Sequence, residues 1–262
     1  MLSFLSDLSL TWLGVTVVAS GIALALGGLL VARRILPHER LSPHHDMTGP
    51  EFQVVGTIYA VLLAFVVITV WQHHNGITDT VEDEASNLLE LGRDAQQYPE
   101  AVARPLLDAL RAYAEAVVDD EWDAMRRGGE SPRAHEAYAD LWRLYRALPV
   151  SDFRELAAQT ETLRRMNDLA DNRNLRLLRA RERIPAVLWV TLLAGAVLTV
   201  GFSYFFGVSN LRLHLLATAT FAGTIALFIF VIVVLETPFT RAGAVSPEPF
   251  RRVLRLMQDV GP

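Results

Sequence analysis

The sequence contains no cysteine, and none of its 24 basic residues is lysine. Without cysteine there is neither a disulfide framework nor a thiolate metal site. An all-arginine basic complement points to a GC-rich bacterial genome rather than to a function. The net charge of -5 is too modest and of the wrong sign to indicate nucleic acid as a partner. Also missing are a Gly-rich phosphate loop, an HExxH motif and a Ser/His/Asp arrangement within an apolar run. Enzymatic chemistry therefore finds no foothold, and no cofactor is expected. The apolar runs hold no lone acid in their interiors, which argues against a proton-coupled transporter.

What the chain has instead is hydrophobic residues, 52% of its 262 positions, gathered into four blocks. A hydrocarbon core roughly 30 Å thick requires about 20 apolar residues as helix. Residues 10–36 hold the first such run, charge-free over 10–32, and residues 53–72 hold the second, opened after Pro50. Residues 185–206 form the third, opened by Pro185, and residues 213–235 form the fourth, stopped by Glu236 and Pro238. Trp12, Trp71, Tyr204 and Phe205 fall near the ends of these runs, where aromatic rings favour the interface. The first run lacks a basic leading segment and is too long for a secretory signal, so it reads as a permanent span. The expected fold is an all-α membrane protein with four transmembrane helices in a 2+2 arrangement and a cytosolic helical domain, 73–184, between the second and third.

Arginines 173, 176, 179, 181, 183, 241, 251, 252 and 255 lie on the side shared by both termini and the 73–184 segment. Arg33, Arg34, Arg40 and Arg212 lie on the other. The positive-inside rule then places both termini and the 73–184 domain in the cytoplasm, in a bacterial inner membrane.

The charged middle reads as helix nearly throughout, in four pieces at 75–97, 100–127, 132–148 and 151–184. Breaks are expected at Pro99, at the Arg-Gly-Gly of 127–129 and at Pro149 before Ser151. Leu156, Leu163, Ala170, Leu177 and Ile184 repeat every seven residues and predict a helix that runs unbroken into the third span. The second span is expected to continue into the helix at 75–97. Residues 246–258 form a short amphipathic tail, with Phe250, Leu254 and Met257 opposite Arg251, Arg252 and Arg255. Either a membrane interface or the helical domain would suit that apolar side.

GTIYAVLLAFVVITVWQHH followed by VEDEASNLLEL, and later RARERIPAVLWVTLLAGAVLTVGFSYFFG with VLETPFTRAGAVSPEPFRRVLRLM, resemble the bestrophin-like family, a domain of unknown function. The resemblance covers about residues 10–258 and is most specific in the C-terminal portion. It implies the architecture of bestrophins, which are pentameric ion channels with four membrane helices per subunit and a helical cytosolic region. Bestrophin necks narrow at bulky apolar side chains one turn apart, a spacing that Val61 and Phe65 have here. No functional residue is carried across from the family.

The candidate sites lie on and below the second span. Gln53, Thr57, Ala60, Ala64, Ile68 and Trp71 fall on one narrow helical arc. Thr57 and Gln53 suit a water-tolerant face, and Phe65 or Ile68 an apolar constriction. The competing reading is tight packing through small residues. Ala19, Ala23 and Gly27 in the first span read as packing, and Thr220 and Thr224 as structural, though their shared face keeps the fourth span as an alternative pore helix. Asp79, Glu82, Asp83 and Glu84 would form an acidic vestibule ring if repeated about an axis, with a solvated helix face as the alternative. The arginines at 176–183 would contact anionic lipid heads or attract anions, so the ion's sign stays open. His73 and His74, adjacent on a helix, point about 100° apart and cannot readily share one metal ion, so no metal site is expected. Glu236 is expected to be hydrated or paired with Arg241. The reading is an oligomeric ion channel whose partners are copies of itself, the lipid bilayer and inorganic ions. The alternative is a non-conducting scaffold or sensor whose helical domain docks a cytosolic partner.

Overall fold

The computed structural model describes residues 10–35, 45–148, 153–206, 208–240 and 245–259. Among these there is no strand. The helices are α1 (Leu10–Ile35), α2 (His45–Ala95), α3 (Glu100–Ala116), α4 (Trp122–Arg126), α5 (Pro132–Arg146), α6 (Phe153–Arg181), α7 (Ala186–Ser203), α8 (Leu211–Glu236) and α9 (Glu248–Asp259). A π-helical turn, Val117–Glu121, joins α3 to α4. The chain falls into two compact units, Met1–His74 with Arg183–Gly243, and Asn75–Glu182 with Ala244–Pro262.

The first unit holds four helices long and apolar enough to cross a membrane, α1, α2, α7 and α8. Helix is the natural form for such segments, because it satisfies every backbone group internally where lipid offers no partner. Its core joins Tyr59, Leu63, Val66 and Val70 of α2 to Leu192 and Val200 of α7 and to Ala222, Ile225 and Ile232 of α8. Two contacts set the packing distances. A Cβ at Gly195 would come within 2.5 Å of the Tyr59 ring, whose hydroxyl donates to the Leu192 carbonyl at 3.2 Å. A Cβ at Gly21 would come within 2.8 Å of the Ala226 methyl, so α1 and α8 meet nearly backbone to backbone. The small residues that α1 turns inward are thus Gly14, Gly21, Ala25 and Gly28, while Ala19, Ala23 and Gly27 are exposed. Both stripes have spacings that permit close approach, and composition alone does not separate them.

Helix α2 starts at His45, earlier than the expected 53, with Pro50 inside its first turns. Asn210 caps α8, its side-chain oxygen accepting from the N–H groups of Arg212 (3.0 Å) and Leu213 (3.2 Å). Helix α6 does not run into α7. It stops at Arg181, and residues 182–185 are non-helical, because Pro185 disfavours helical geometry at Ile184 and has no N–H to give.

In the second unit α3 and α5 form a hairpin. The expected break at 127–129 is a Schellman closure: Gly128 takes φ 78°, its N–H bonds the Met125 carbonyl, and Gly129 N–H bonds that of Ala124. Ser131 then caps α5, accepting from Ala134 N at 3.2 Å with Pro132 in the first position. Helix α9 lays Phe250, Val253 and Met257 into this unit and leaves Arg251, Arg252 and Arg255 exposed. Trp122 donates to the Val245 carbonyl at 3.1 Å and Arg111 to that of Met257 at 3.0 Å. The tail is therefore a packed helix rather than an interfacial one. The expected break at Pro149 and Ser151 lies outside the described residues.

Gly195→Val should cost about 1–3 kcal/mol through overpacking. It should lower the thermal midpoint in detergent, whereas Ala19→Val should leave it unchanged.

Candidate functional site: the outward face of helix α2

Gln53, Thr57, Ala60, Ala64 and Ile68 are all exposed in the subunit, while Tyr59, Leu63, Val66 and Val70 carry the packing. The stripe of small and polar residues is not used to close against α7 or α8. Thr57 donates its hydroxyl to the Gln53 carbonyl at 2.7 Å, and Thr69 does the same to Phe65 at 2.8 Å. Their donors are satisfied within the helix, and the oxygen lone pairs remain for an outside partner. Phe65 is 66% exposed but lies about 80° round the helix from Thr57. It belongs to the edge of this face, not to its centre.

Farther along α2, Asp79, Glu82 and Asp83 are exposed. Among the described residues none of the three is ion-paired. Glu84 is different. Its side chain is fully buried, with Arg176 Nε 2.6 Å from Oε2 and Arg176 Nη2 3.0 Å from Oε1. Tyr113 donates its hydroxyl to Glu84 Oε1 at 2.5 Å. The same Arg176 reaches Glu121 Oε2 at 2.7 Å, and Arg173 reaches Glu121 Oε1 at 2.9 Å. Trp122 and Phe250 lie against the Arg176 guanidinium at 5.7 and 5.8 Å, and Tyr138 against that of Arg173 at 5.1 Å. Two cations and two anions thus balance inside the second unit. Burial pulls against the Arg176 charge, but Glu84 and Glu121 hold the guanidinium well above its ordinary range. Burial, and next the Glu84 carboxylate, push the Tyr113 phenol well above the usual tyrosine range.

Beside the exposed acids, α2 and α6 bound an open groove of about 340 Å³ lined by Asp83, Ser86, Asn87, Asp168, Asp171 and Asn172. Asp168 accepts from Arg164 at 2.8 Å. Among the described residues no group of three or more His, Asp or Glu side chains is placed to hold a metal ion. In the first unit Glu236 accepts from the Ile184 backbone N–H at 2.9 Å and from Trp189 Nε1 at 3.1 Å. It thereby ties the residue before Pro185 and the first turns of α7 to the end of α8, and Arg241 lies outside the described residues.

The Bestrophin-like domain model matches residues 20–250. The chain belongs to the Bestrophin-like family. It is a membrane protein whose fold resembles that of a mutant bacterial bestrophin homologue from Klebsiella pneumoniae. The TM-score is 0.69 at 15% identity, over 94% of this chain and 99% of that one. A second structure of the Klebsiella homologue, solved by Zn-SAD phasing, gives 0.66 at 16% identity, over 92% and 97%. No curated protein matches the chain.

In this bestrophin-like protein two sequence expectations change. Glu84 leaves the acidic set, because its position on α2 points into the helical core. Arginines 173 and 176 are not free for lipid heads. Arg179 bonds the Gly76 carbonyl and Thr80, and Arg181 pairs with Glu130 at 2.8 Å. The inward seam of α6 is Thr162, Met166, Leu169, Arg173, Arg176 and Ala180, with Leu177 beside it. Of the expected seam, Leu156 is exposed and Leu163 and Ala170 are half-buried. Two arginines occupy core positions there, and a search for apolar repeats passes over them. The readable signal is that they continue the 162, 166, 169 spacing.

Removing one member of a buried pair strands its partner, at about 3–5 kcal/mol. Arg176→Ala should therefore lower the denaturation midpoint sharply, whereas Arg164→Ala, on the surface, should not move it. The raised Tyr113 pKa adds stability that is full below the ordinary tyrosine range and lost as pH rises through the folded value. Absorbance titration should show one fewer late-ionising phenol in Tyr113→Phe.

Proposed function

We propose that this chain is one subunit of an oligomeric ion channel in a bacterial inner membrane, with α2 lining the conduction path. Copies of the chain surround a shared axis, and the 73–184 domain and both termini lie in the cytoplasm. The observation that carries this reading is the outward face of α2: Gln53, Thr57, Ala60 and Ala64 are small or polar, Ile68 continues their line, and all five are exposed in the subunit. In an isolated span, the Gln53 amide turned to lipid is costly, whereas the Thr57 hydroxyl is already satisfied by its own helix. Around an axis, the same residues tolerate water, and Ile68 and Phe65 supply bulk for a constriction. Membership of the bestrophin-like family supports the reading, since bestrophins are ion channels.

Asp79, Glu82 and Asp83 form the acidic vestibule ring in this reading, without Glu84. Arginines 173, 176, 179 and 181 are held by carboxylates, a hydroxyl and a carbonyl. Among the described residues none of these four arginines pairs with the exposed acids below the span, and the field of those acids favours cations.

Planar-bilayer recording of the purified protein tests this. Currents are expected, and Thr57→Trp should reduce unitary conductance at least tenfold, while Phe65→Ala should raise it. The triple change Asp79→Asn, Glu82→Gln, Asp83→Asn should shift the reversal potential in a salt gradient toward weaker cation preference. Absence of current in every ionic condition would favour the scaffold reading, with the helical domain as docking surface.

A further inference from the structure

The buried ion network holds one residue of α2, and α2 is a single helix from His45 to Ala95. At 3.6 residues per turn, Thr57 lies about 180° round the axis from Glu84, and Ala64 and Glu82 about 200°. By the same count Val66 lies at about 0°, with Tyr59, Val70, Ile77 and Leu91 all within about 40° of Glu84. These last five are buried, while Thr57, Ala64 and Glu82 are exposed. By this count the α2 residues buried within each unit fall on one side of the helix, with Glu84 in the middle of that side.

Most of what holds that side is apolar, and apolar contact is non-directional; polar holds besides Glu84 include the Tyr59 hydroxyl on the Leu192 carbonyl and Arg179 on Gly76 and Thr80. Leu88 or Val66 would still be largely covered after a modest turn of the helix. The Glu84 carboxylate tolerates no such turn. It is gripped through both oxygens by the Arg176 fork and takes a third bond from Tyr113, and forked pairs of this kind fix direction as well as distance. Arg176 is itself anchored to Glu121 at the end of the π-helical turn, so the clamp does not move with α2. With Arg176 gone, a bare carboxylate would sit in the core, and turning α2 would bring it toward water.

We infer that Arg176 is a positioning residue for the α2 face: by clamping Glu84 it sets the rotation of α2, and so decides which residues of the span are presented outward on the Thr57 side. This rests on the reading of that face as the lining of a hydrated path. Arg173 supplies the internal control, because it bonds Glu121 in the same network and, among the described residues, no hydrogen bond or ion pair joins it to α2.

The absence of cysteine makes the test direct, since each introduced thiol is the only one in the chain. Single cysteines at Thr57, Ile58, Ala64 and Phe65 are reacted with a charged, membrane-impermeant methanethiosulfonate in the assembled, reconstituted protein. In the parent background, Thr57→Cys and Ala64→Cys should react at least tenfold faster than Ile58→Cys, with Phe65→Cys, at the edge of the face, between them. Adding Arg176→Gln or the milder Glu84→Gln should collapse that ratio to within about threefold. Adding Arg173→Gln should leave it intact even where the melting temperature falls as much. An unchanged ratio in a folded Arg176→Gln or Glu84→Gln protein overturns the positioning role, as does an equal collapse with Arg173→Gln. If both α2-clamp variants fail to assemble, Tyr113→Phe decides: the ratio must fall below the parent value, and an unchanged ratio overturns the role. No selectivity in the parent background contradicts the hydrated path itself, an outcome separate from failure of the clamp.

Discussion

Arg176, held between Glu84 and Glu121 with its side chain wholly removed from solvent, is the contact on which the second unit turns. Desolvating four charged groups is expensive, and their mutual attraction offsets it only with close geometry and further hydrogen bonds. Here the geometry is close and the charges balance, with Arg173 completing Glu121 and Tyr113 completing Glu84. Three aromatic rings cover the two guanidiniums. The contact links α2, α3, the π-helical turn and α6 through direct bonds, and α9 through the Phe250 ring. An apolar cluster of the same volume would be as stable, but it would not specify one mutual orientation as sharply.

That internal pairing changes the electrostatics of what remains outside. A count of charges near the second and third spans finds arginines and acids in similar number. The structure removes Arg173, Arg176 and Glu84 from that count and ties Arg179 to backbone and hydroxyl. Asp79, Glu82 and Asp83 stay at the surface of α2. Along the same helix the exposed side chains at 57–64 are Thr57, Ala60 and Ala64 together with Ile58 and Val61, and those at 79–83 are Asp79, Glu82 and Asp83, while the buried ones stay apolar apart from Thr80 and Glu84. Thr57 suits either environment, since its hydroxyl is already satisfied by its own helix.

The four spans are legible in the sequence because their lengths match a bilayer and their interiors carry no charge. The helix breaks near Pro99 and 127–129 are legible because proline and positive-φ glycine leave the chain few alternatives. The resemblance to the family is legible in the C-terminal stretch around the Pro-Phe turn. Glu84 is not, since Asp83 and Glu84 are chemically alike and only the phase of a helix against its neighbours separates inward from outward. The same holds for the two small-residue stripes of α1. The α6 seam escapes because arginine at a core position needs a buried carboxylate from a distant segment, and Glu121 is 52 residues from Arg173. The stop at 182–185 turns on one proline whose effect the seven-residue repeat overrides on paper. The stripe on α2 reads from its residues as close packing sooner than as lining, and its exposure within the subunit removes packing within one copy only.

Cryo-electron microscopy of the protein in lipid nanodiscs tests the central claim most directly. The account requires a closed ring of identical subunits, with α2 innermost and Thr57 and Ala64 bordering continuous solvent density along the axis. A particle containing a single subunit, or a ring whose centre is filled with acyl chains while Thr57 faces the surrounding bilayer, would contradict it.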